Sequence, residues 1–311
     1  MARILFVKTS SLGDVVHHCP AVSDAARARP QAQIDWVVEE AFAGIAAMHP
    51  AVRRVIPVAV RRWRGSLWRP QVWSQIGELR RALRGERYDT VIDTQSLVKS
   101  ALVARLAAGT KHGMDAESAR EALAARFYDV THAVPRGLHA VERNRRLTAA
   151  ALGYALAPTF DYGLQAVGAA PPELGNGTYA VLLTMTSRAD KLWPEPRWIE
   201  LGRALAMPVV LPWGSEAERA RAQRISRGVG QAMVPGRLAL AELGKILMHA
   251  KAVVGLDTGL THLAAALGAP TVGVYCGSDP ALTGLYAGGR ARNVGGPGRP
   301  PKVPEVLESL P

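Results

Sequence analysis

The residues able to do chemistry in this chain gather in three short polar turns, each set between an apolar run and a helix-like stretch. The turn Asp257-Thr-Gly-Leu-Thr-His262 interrupts the otherwise apolar segment from Val253 to Tyr275. Gly259 lets a backbone come close to a ligand, and the free amides of a helix beginning there suit an anion such as a phosphate. Asp257, Thr258 and His262 are the nearest polar groups, and His262 lies one helical turn past Thr258 on the same face. The same residues also suit a helix cap that binds nothing, because Asp and Thr satisfy orphan amides at helix starts.

The second turn, Thr184-Met-Thr-Ser-Arg-Ala-Asp-Lys191-Leu-Trp-Pro194, again follows an apolar run, and Pro194 suits the first turn of a helix. Hydroxyls of Thr186 and Ser187 can donate to phosphate oxygens, and Lys191 can neutralise the charge that grows on a departing diphosphate. Alone this is a solvated polar loop; beside the Asp257 turn in the same half of the chain it points to phosphate binding. The third turn, Lys8-Thr-Ser-Ser-Leu-Gly-Asp14, places a carboxylate at the start of the first helix. Aspartate there is often a cap, yet Thr9, Ser10 and Ser11 are available for capping, which leaves Asp14 to take a proton from a sugar hydroxyl. Neither Gly-x-Gly-x-x-Gly nor Gly-Lys-Ser/Thr stands in this turn, which argues against a dinucleotide oxidoreductase and against ATP hydrolysis.

The elements that must hold these turns alternate in type. Strands are predicted at 3–7, 34–38, 54–58, 90–93, 179–183 and 208–211 and on either side of the Asp257 turn. Helices are predicted through Ala26, near 41–48 and 72–83, from Leu97, and at 139–151, 216–227 and 240–249. Strands alternating with helices imply parallel sheets with right-handed crossovers. A Gly-, Pro- and Ala-rich stretch from Leu156 to Thr178 reads as a linker. The expected organisation is an N-terminal domain over 1–160, a C-terminal domain over 161–290, and a tail over 291–311 whose short helix packs back on the first domain. In such sheets ligands sit beyond the carboxyl ends of the strands, and two domains in series place a site in the cleft between them.

With 311 residues and 48% hydrophobic content, the chain is long enough for two globular domains. No apolar run is long enough to span a bilayer, and the start Met-Ala-Arg-Ile-Leu-Phe-Val-Lys reads as a strand rather than a signal peptide. Cys19 and Cys276 match no metal or redox spacing and are expected as buried thiols in a reducing cytoplasm. The net charge of +12 is unevenly spread, with Arg53, Arg54, Arg61, Arg62, Arg64, Arg69, Arg80, Arg81, Arg84 and Arg87 crowding one stretch. Nucleic acid, an anionic membrane surface and a phosphorylated substrate would each suit it. No nucleic-acid module accompanies it, and Trp63, Trp68 and Trp73 are also what a helix lying on a membrane would show.

Taken together, the Lys8 to Asp14 turn, Asp35-Trp-Val-Val-Glu-Glu40, Ile56-Pro-Val-Ala-Val-Arg-Arg-Trp-Arg64, Asp93-Thr-Gln-Ser-Leu-Val-Lys-Ser100, Lys111-His-Gly-Met-Asp115, Ala119-Arg-Glu121 and the Asp257 to His262 turn resemble the lipopolysaccharide heptosyltransferases of glycosyltransferase family 9. The similarity runs over nearly the whole chain, and two segments, Asp35 to Glu40 and Arg61 to Arg64, resemble the enzymes that add the first heptose. The resemblance implies an α/β GT-B fold, two Rossmann-like parallel-sheet domains facing across a cleft. It implies an inverting, metal-independent transfer of L-glycero-D-manno-heptose from ADP-L-glycero-β-D-manno-heptose to a Kdo hydroxyl of Kdo2-lipid A, with no cofactor.

Asp14 falls on the family's catalytic base and Lys191 on a catalytic and donor-binding position. Thr186, Ser187, Asp257, Thr258, Gly259 and His262 fall on further donor-binding positions, and Glu218 and Leu238 on adenosine-side ones. Arg61, Arg62, Arg64, Lys99, Arg120, His139 and Arg143 would meet acceptor carboxylates and phosphates, for which arginine forks are suited. Two residues depart from the family pattern: Ser187 stands where threonine is usual, and Ser96 where glycine is usual. A monomer working at the cytoplasmic face of the inner membrane, in peripheral contact with its anionic lipid and without nucleic acid, is expected. The rival readings are a later heptosyltransferase whose acceptor already carries heptose, and a non-catalytic binder of anionic surfaces or nucleic acid.

Overall fold

The computed structural model describes residues 1–66, 68–169, 171 and 178–311. The chain divides into two compact units, Met1–Leu164 and Gln165–Pro311. Part of the expected linker, 172–177, lies outside the described residues.

The first unit runs β1 (Arg3–Val7), α1 (Leu12–Val16), α2 (Cys19–Ala28), β2 (Gln33–Glu39), α3 (Ala43–Ala47), β3 (Val52–Val58), α4 (Val60–Arg64), α5 (Pro70–Arg84), β4 (Arg87–Asp93), α6 (Val98–Leu106), β5 (Ala108–Met114), β6 (Val130–His132) and α7 (Ala140–Leu152). The second runs β7 (Ala180–Leu183), α8 (Glu195–Ala204), β8 (Val209–Val210), α9 (Glu216–Val229), β9 (Ala232–Met233), α10 (Leu240–His249), β10 (Ala252–Leu256), α11 (Gly259–Ala266), β11 (Thr271–Tyr275), α12 (Pro280–Thr283), β12 (Ala291–Gly295) and α13 (Val303–Glu308).

Each unit folds its six strands into one sheet, in the order β3-β2-β1-β4-β5-β6 and β12-β11-β10-β7-β8-β9, and every pairing is parallel. Counted within its own unit, each sheet has the same doubly wound topology, 3-2-1-4-5-6. The strand order reverses between β1 and β4 in the first sheet and between β7 and β10 in the second. Open parallel sheets bind ligands beyond the carboxyl ends of the strands at such a reversal. All three polar turns of the sequence leave strands that flank one: β1, β7 and β10.

The central strands are apolar on both sides because helices cover both faces. Ile4, Leu5, Phe6 and Val7 of β1 are all buried, as are Val253, Val254 and Leu256 of β10. The Phe6 and Trp36 rings close edge-on around the buried His18 at 4.7 and 4.8 Å. In the second unit Trp193 and Trp198 meet edge to face at 5.0 Å. Both cysteines are buried and free. Among the described residues no helix is long and apolar enough to cross a membrane.

The sequence reading lacks the strands β5, β6, β9 and β12 and misplaces the last helix. Strands β5 and β6 were not expected: Ala-Gly-Thr-Lys-His-Gly-Met carries no apolar alternation, and β5 pairs with β4 around Gly109, where an added Cβ would stand 2.3 Å from the Tyr88 carbonyl oxygen. Residues 291–295 are not tail but the edge strand β12. The final helix α13 buries Val303 and Val306 in the core of the second unit, beside Trp198 and Ile225, whereas it was expected on the first domain. The Pro301 carbonyl oxygen accepts from Trp193 Nε1 and from Arg197, each at 3.0 Å, and so binds the Pro-rich stretch to α8 and the turn before it.

Candidate active site

In the second unit the carboxylate of Asp257 is the hub. It sits one residue beyond β10, its side chain 10% exposed, and Lys191 Nζ from the turn after β7 donates to its Oδ2 at 2.6 Å. Ser278 Oγ, beyond β11, donates to the same oxygen at 2.6 Å, and His262 Nε2 lies 3.4 Å from Oδ1. Thr186 Oγ1 donates to the Asp257 carbonyl at 2.9 Å, so the turns after β7 and β10 are joined at two points. Burial alone would push the Asp257 carboxyl up, but His262, Lys191 and Ser278 outweigh it and hold the group well below the usual carboxylate range.

The simple cap allowed by the sequence is not what these side chains make. Thr258 is the N-cap residue of α11 by position, yet its side chain makes no capping hydrogen bond, and Asp257 holds a lysine instead. Gly255 explains how α11 comes so close to its strand: a Cβ there would lie 2.2 Å from Thr261 Oγ1, which donates to the Leu256 carbonyl at 2.7 Å. Gly259 is the first residue of α11.

Ser187 is exposed. Glu218 Oε2 accepts from Gly214 N–H at 2.6 Å and thereby shapes the Pro212-Trp213-Gly214 turn after β8. Leu238 is half-buried in the segment before α10. Ser278 was missed; its only sequence signal is a small hydroxyl just past the apolar strand Thr271–Tyr275.

In the first unit Asp14 is not the spare carboxylate that the sequence reading made it. Its Oδ2 accepts from Ser11 N–H at 2.9 Å, the acidic half of a capping box at the start of α1, and from Ser11 Oγ at 3.1 Å. Its Oδ1 faces the Arg120 guanidinium at 3.2 Å, and the side chain is 24% exposed. One carboxylate therefore caps a helix and still presents an oxygen to an outside cation. Burial raises its pKa, but Lys8, Arg120 and the Ser11 donors lower it more, so Asp14 is ionised at neutral pH.

Lys8, quoted in the sequence turn but assigned no role there, is buried beneath it, with Nζ donating to the Thr94 carbonyl at 3.0 Å and to Asn144 Oδ1 at 3.4 Å. Burial lowers its ammonium to about 8, against the pull of Asp14. Gln95 Oε1 accepts from both Thr9 and Ser10 N–H at 3.1 Å, which locks the first turn to the turn after β4. Thr9 Oγ1 and Ser96 Oγ are buried there with no hydrogen-bond partner among the described residues.

The expected acceptor residues fall into two groups. Arg120 meets Asp14, and Lys99 Nζ reaches Ser10 Oγ at 3.3 Å. Nearby on α7, Arg143 donates to the Ser118 carbonyl at 2.5 Å, and His139 caps the helix by accepting from Val141 N–H at 3.2 Å. The other group sits on α4. Arg61 lies over the Phe42 ring at 5.4 Å, Arg62 forks onto Glu40 at 3.3 and 3.2 Å, and Arg64 is exposed. Ser96, which departs from the expected glycine, has φ +56°, a left-handed backbone that favours glycine.

The chain is similar to known proteins over most of its length. The profile described as "Glycosyltransferase family 9 (heptosyltransferase)" matches residues 76–302. The chain is 49% identical to lipopolysaccharide heptosyltransferase 1 of Pseudomonas aeruginosa, over 91% of this chain and 81% of that one. It is 47% identical to the protein of the same name from Escherichia coli K12, over 91% of each. Among solved structures, E. coli heptosyltransferase WaaC with ADP superposes with a TM-score of 0.92 at 44% identity, covering 98% of both chains. The same enzyme with ADP-2-deoxy-2-fluoro heptose gives 0.87 at 45% identity, over 95% and 94%.

Proposed function

The chain belongs to glycosyltransferase family 9, the heptosyltransferases, and from that premise we propose that it transfers L-glycero-D-manno-heptose from ADP-L-glycero-β-D-manno-heptose to a Kdo hydroxyl of Kdo2-lipid A, inverting the anomeric carbon without a metal. The observation that carries this reading is the Asp257 cluster: a lysine, a histidine and a serine gathered on one carboxylate at the start of a helix, beside the strand reversal of the second sheet.

In this reading the second unit takes the donor. Lys191 has three N–H donors and gives one to Asp257, so two remain for the diphosphate, together with the first amides of α11. Asp257 acts as a positioning residue that aims Lys191 and His262, and Thr186, Ser187, Thr258 and Gly259 line the phosphate end. Glu218 and Leu238 stand on the adenosine side. Charge that develops on the leaving diphosphate is met by fixed donors and an ammonium, the role a metal plays elsewhere.

The first unit supplies the base. Asp14 is ionised, takes the proton of the attacking hydroxyl, and that oxygen forms its bond to the anomeric carbon as the carbon–phosphate-oxygen bond breaks and ADP departs with the electron pair. A single displacement of this kind inverts the centre. Arg120 shares Asp14, and its remaining N–H groups can meet an acceptor carboxylate. Lys99, His139, Arg143 and the α4 arginines Arg61, Arg62 and Arg64 serve the other anionic groups of a lipid-borne acceptor. The protein works as a monomer in peripheral contact with the cytoplasmic face of the inner membrane.

The test is mass spectrometry of Kdo2-lipid A and of heptosyl-Kdo2-lipid A, each incubated with the protein and ADP-heptose. The expected result is a gain of one heptose on the first; a gain on the second alone would assign the chain to a later step.

A further inference from the structure

Between Val60 and Gly85 the chain carries seven arginines and one carboxylate, Glu78. Arg61 and Arg62 are engaged by Phe42 and Glu40. The other five, Arg64, Arg69, Arg80, Arg81 and Arg84, are exposed and form no ion pair among the described residues. A cluster of unneutralised cations repels itself unless something anionic lies against it.

The same segment exposes two indoles. Trp68, in the turn before α5, is 75% exposed and Trp73, in the first turn of α5, is 60% exposed. Helix α5 seats Val72, Leu79 and Leu83 in the core. Trp73, Arg80 and Arg84 lie at i, i+7 and i+11, a single stripe about 100° around the helix from the buried one. Gly77 falls in the middle of that stripe, and nothing lies within 4 Å of where its Cβ would be. The helix therefore has one edge in the core and a neighbouring edge made of tryptophan at one end and arginines along its length.

Indoles settle at the level of lipid headgroups, with the ring toward the acyl chains, and guanidinium groups fork onto lipid phosphates. Each cation near an anionic leaflet adds to the attraction. We propose that this face, from Trp68 along α5 to Arg84, is the surface by which the protein seats on an anionic lipid bilayer. A lipid-borne acceptor, as in the function proposed above, gives the docking its purpose. The surface itself stands on the stripe, its exposure and its charge, unpaired among the described residues.

The full chain is sedimented with vesicles of phosphatidylcholine, with and without phosphatidylglycerol, at about 0.1 M salt. The parent should bind the anionic vesicles only. R80S/R84S should lower the partition coefficient roughly 20-fold. Brominated acyl chains should quench the parent's tryptophan emission, and W68S/W73S should lose that quenching. Unchanged partition and quenching in both variants would overturn the proposal, as would absence of binding to anionic vesicles, or duplex DNA being bound where vesicles are not. Transfer to detergent-dispersed acceptor should stay at the parental level in both variants. If no protein transfers heptose while vesicle binding still follows the stripe, the acceptor reading falls and the docking surface stands.

Discussion

Asp93 and Asp257 stand near the carboxyl ends of corresponding strands in two sheets of one topology, Asp93 as the last residue of β4 and Asp257 one residue beyond β10, and their surroundings are opposite. Asp93 is fully buried, and its hydrogen bonds among the described residues come from neutral donors: the N–H groups of Gln95 and Ser96, Ser100 Oγ at 2.8 Å and the Tyr128 hydroxyl at 2.8 Å. Burial raises its pKa despite those bonds. Asp257 is reached by a lysine and a histidine and is depressed. A carboxylate tied to neutral donors latches a loop, whereas one that holds a lysine ammonium organises charge. The fold supplies the position in both units, and the partners decide its use. In the first unit the carboxylate that meets a cation lies one loop over, Asp14 after β1, and the base is proposed there.

The division of labour can be broken most severely at Asp14. Asp14→Asn keeps an oxygen for the Ser11 cap but removes the base, so transfer should fall on the order of 1,000-fold, measured as initial rate with saturating donor. A rate near the parent's would return Asp14 to the role of cap alone. Lys191→Met removes the cation nearest the leaving group and should cost on the order of 100-fold in transfer, with the acceptor KM unchanged; a change in acceptor KM alone would show the lysine serving the other substrate.

Acid separates the two aspartates by sign. The Asp257 carboxyl is held below its ordinary value of 3.8, so its contribution to stability is complete above that value and is lost as pH falls through the depressed one. The Asp93 carboxyl is raised, so its contribution is present below 3.8 and is lost as pH rises through the folded-state value. Between about pH 5 and about pH 2, Asp257→Asn should lessen the parent's loss of Tm and Asp93→Asn should deepen it. Equal acid profiles would mean the two environments are alike after all. The smallest expected effect is at Ser96, whose left-handed backbone has no counterpart in the turn after β10: Ser96→Gly should stabilise by about 1 kcal/mol, read by denaturant unfolding.

The central strands and all three site turns were legible in the sequence because buried parallel strands are continuous apolar runs and the turns that follow them stand out as polar. Strands β5, β6, β9 and β12 were not: Ala108–Met114 and Ala291–Gly295 carry glycine and charge in place of an apolar pattern, and β9 is only two residues long. Lys191 and Asp257 could be named singly, but their 2.6 Å contact across 66 positions of sequence depends on β7 and β10 becoming neighbours. Ser278, Lys8 and Gln95 had no distinguishing spacing and took their meaning from that adjacency. The capping role of Asp14 escaped because the residue count allowed other caps, while the geometry used this one.

The most direct test is calorimetric titration of ADP-heptose into the parent, Asp14→Asn and Lys191→Met. If the donor is held by the second unit and Asp14 acts only on the proton, Asp14→Asn should bind within about twofold of the parent and Lys191→Met about tenfold more weakly or worse. Donor affinity lost with Asp14→Asn and kept with Lys191→Met would contradict the account.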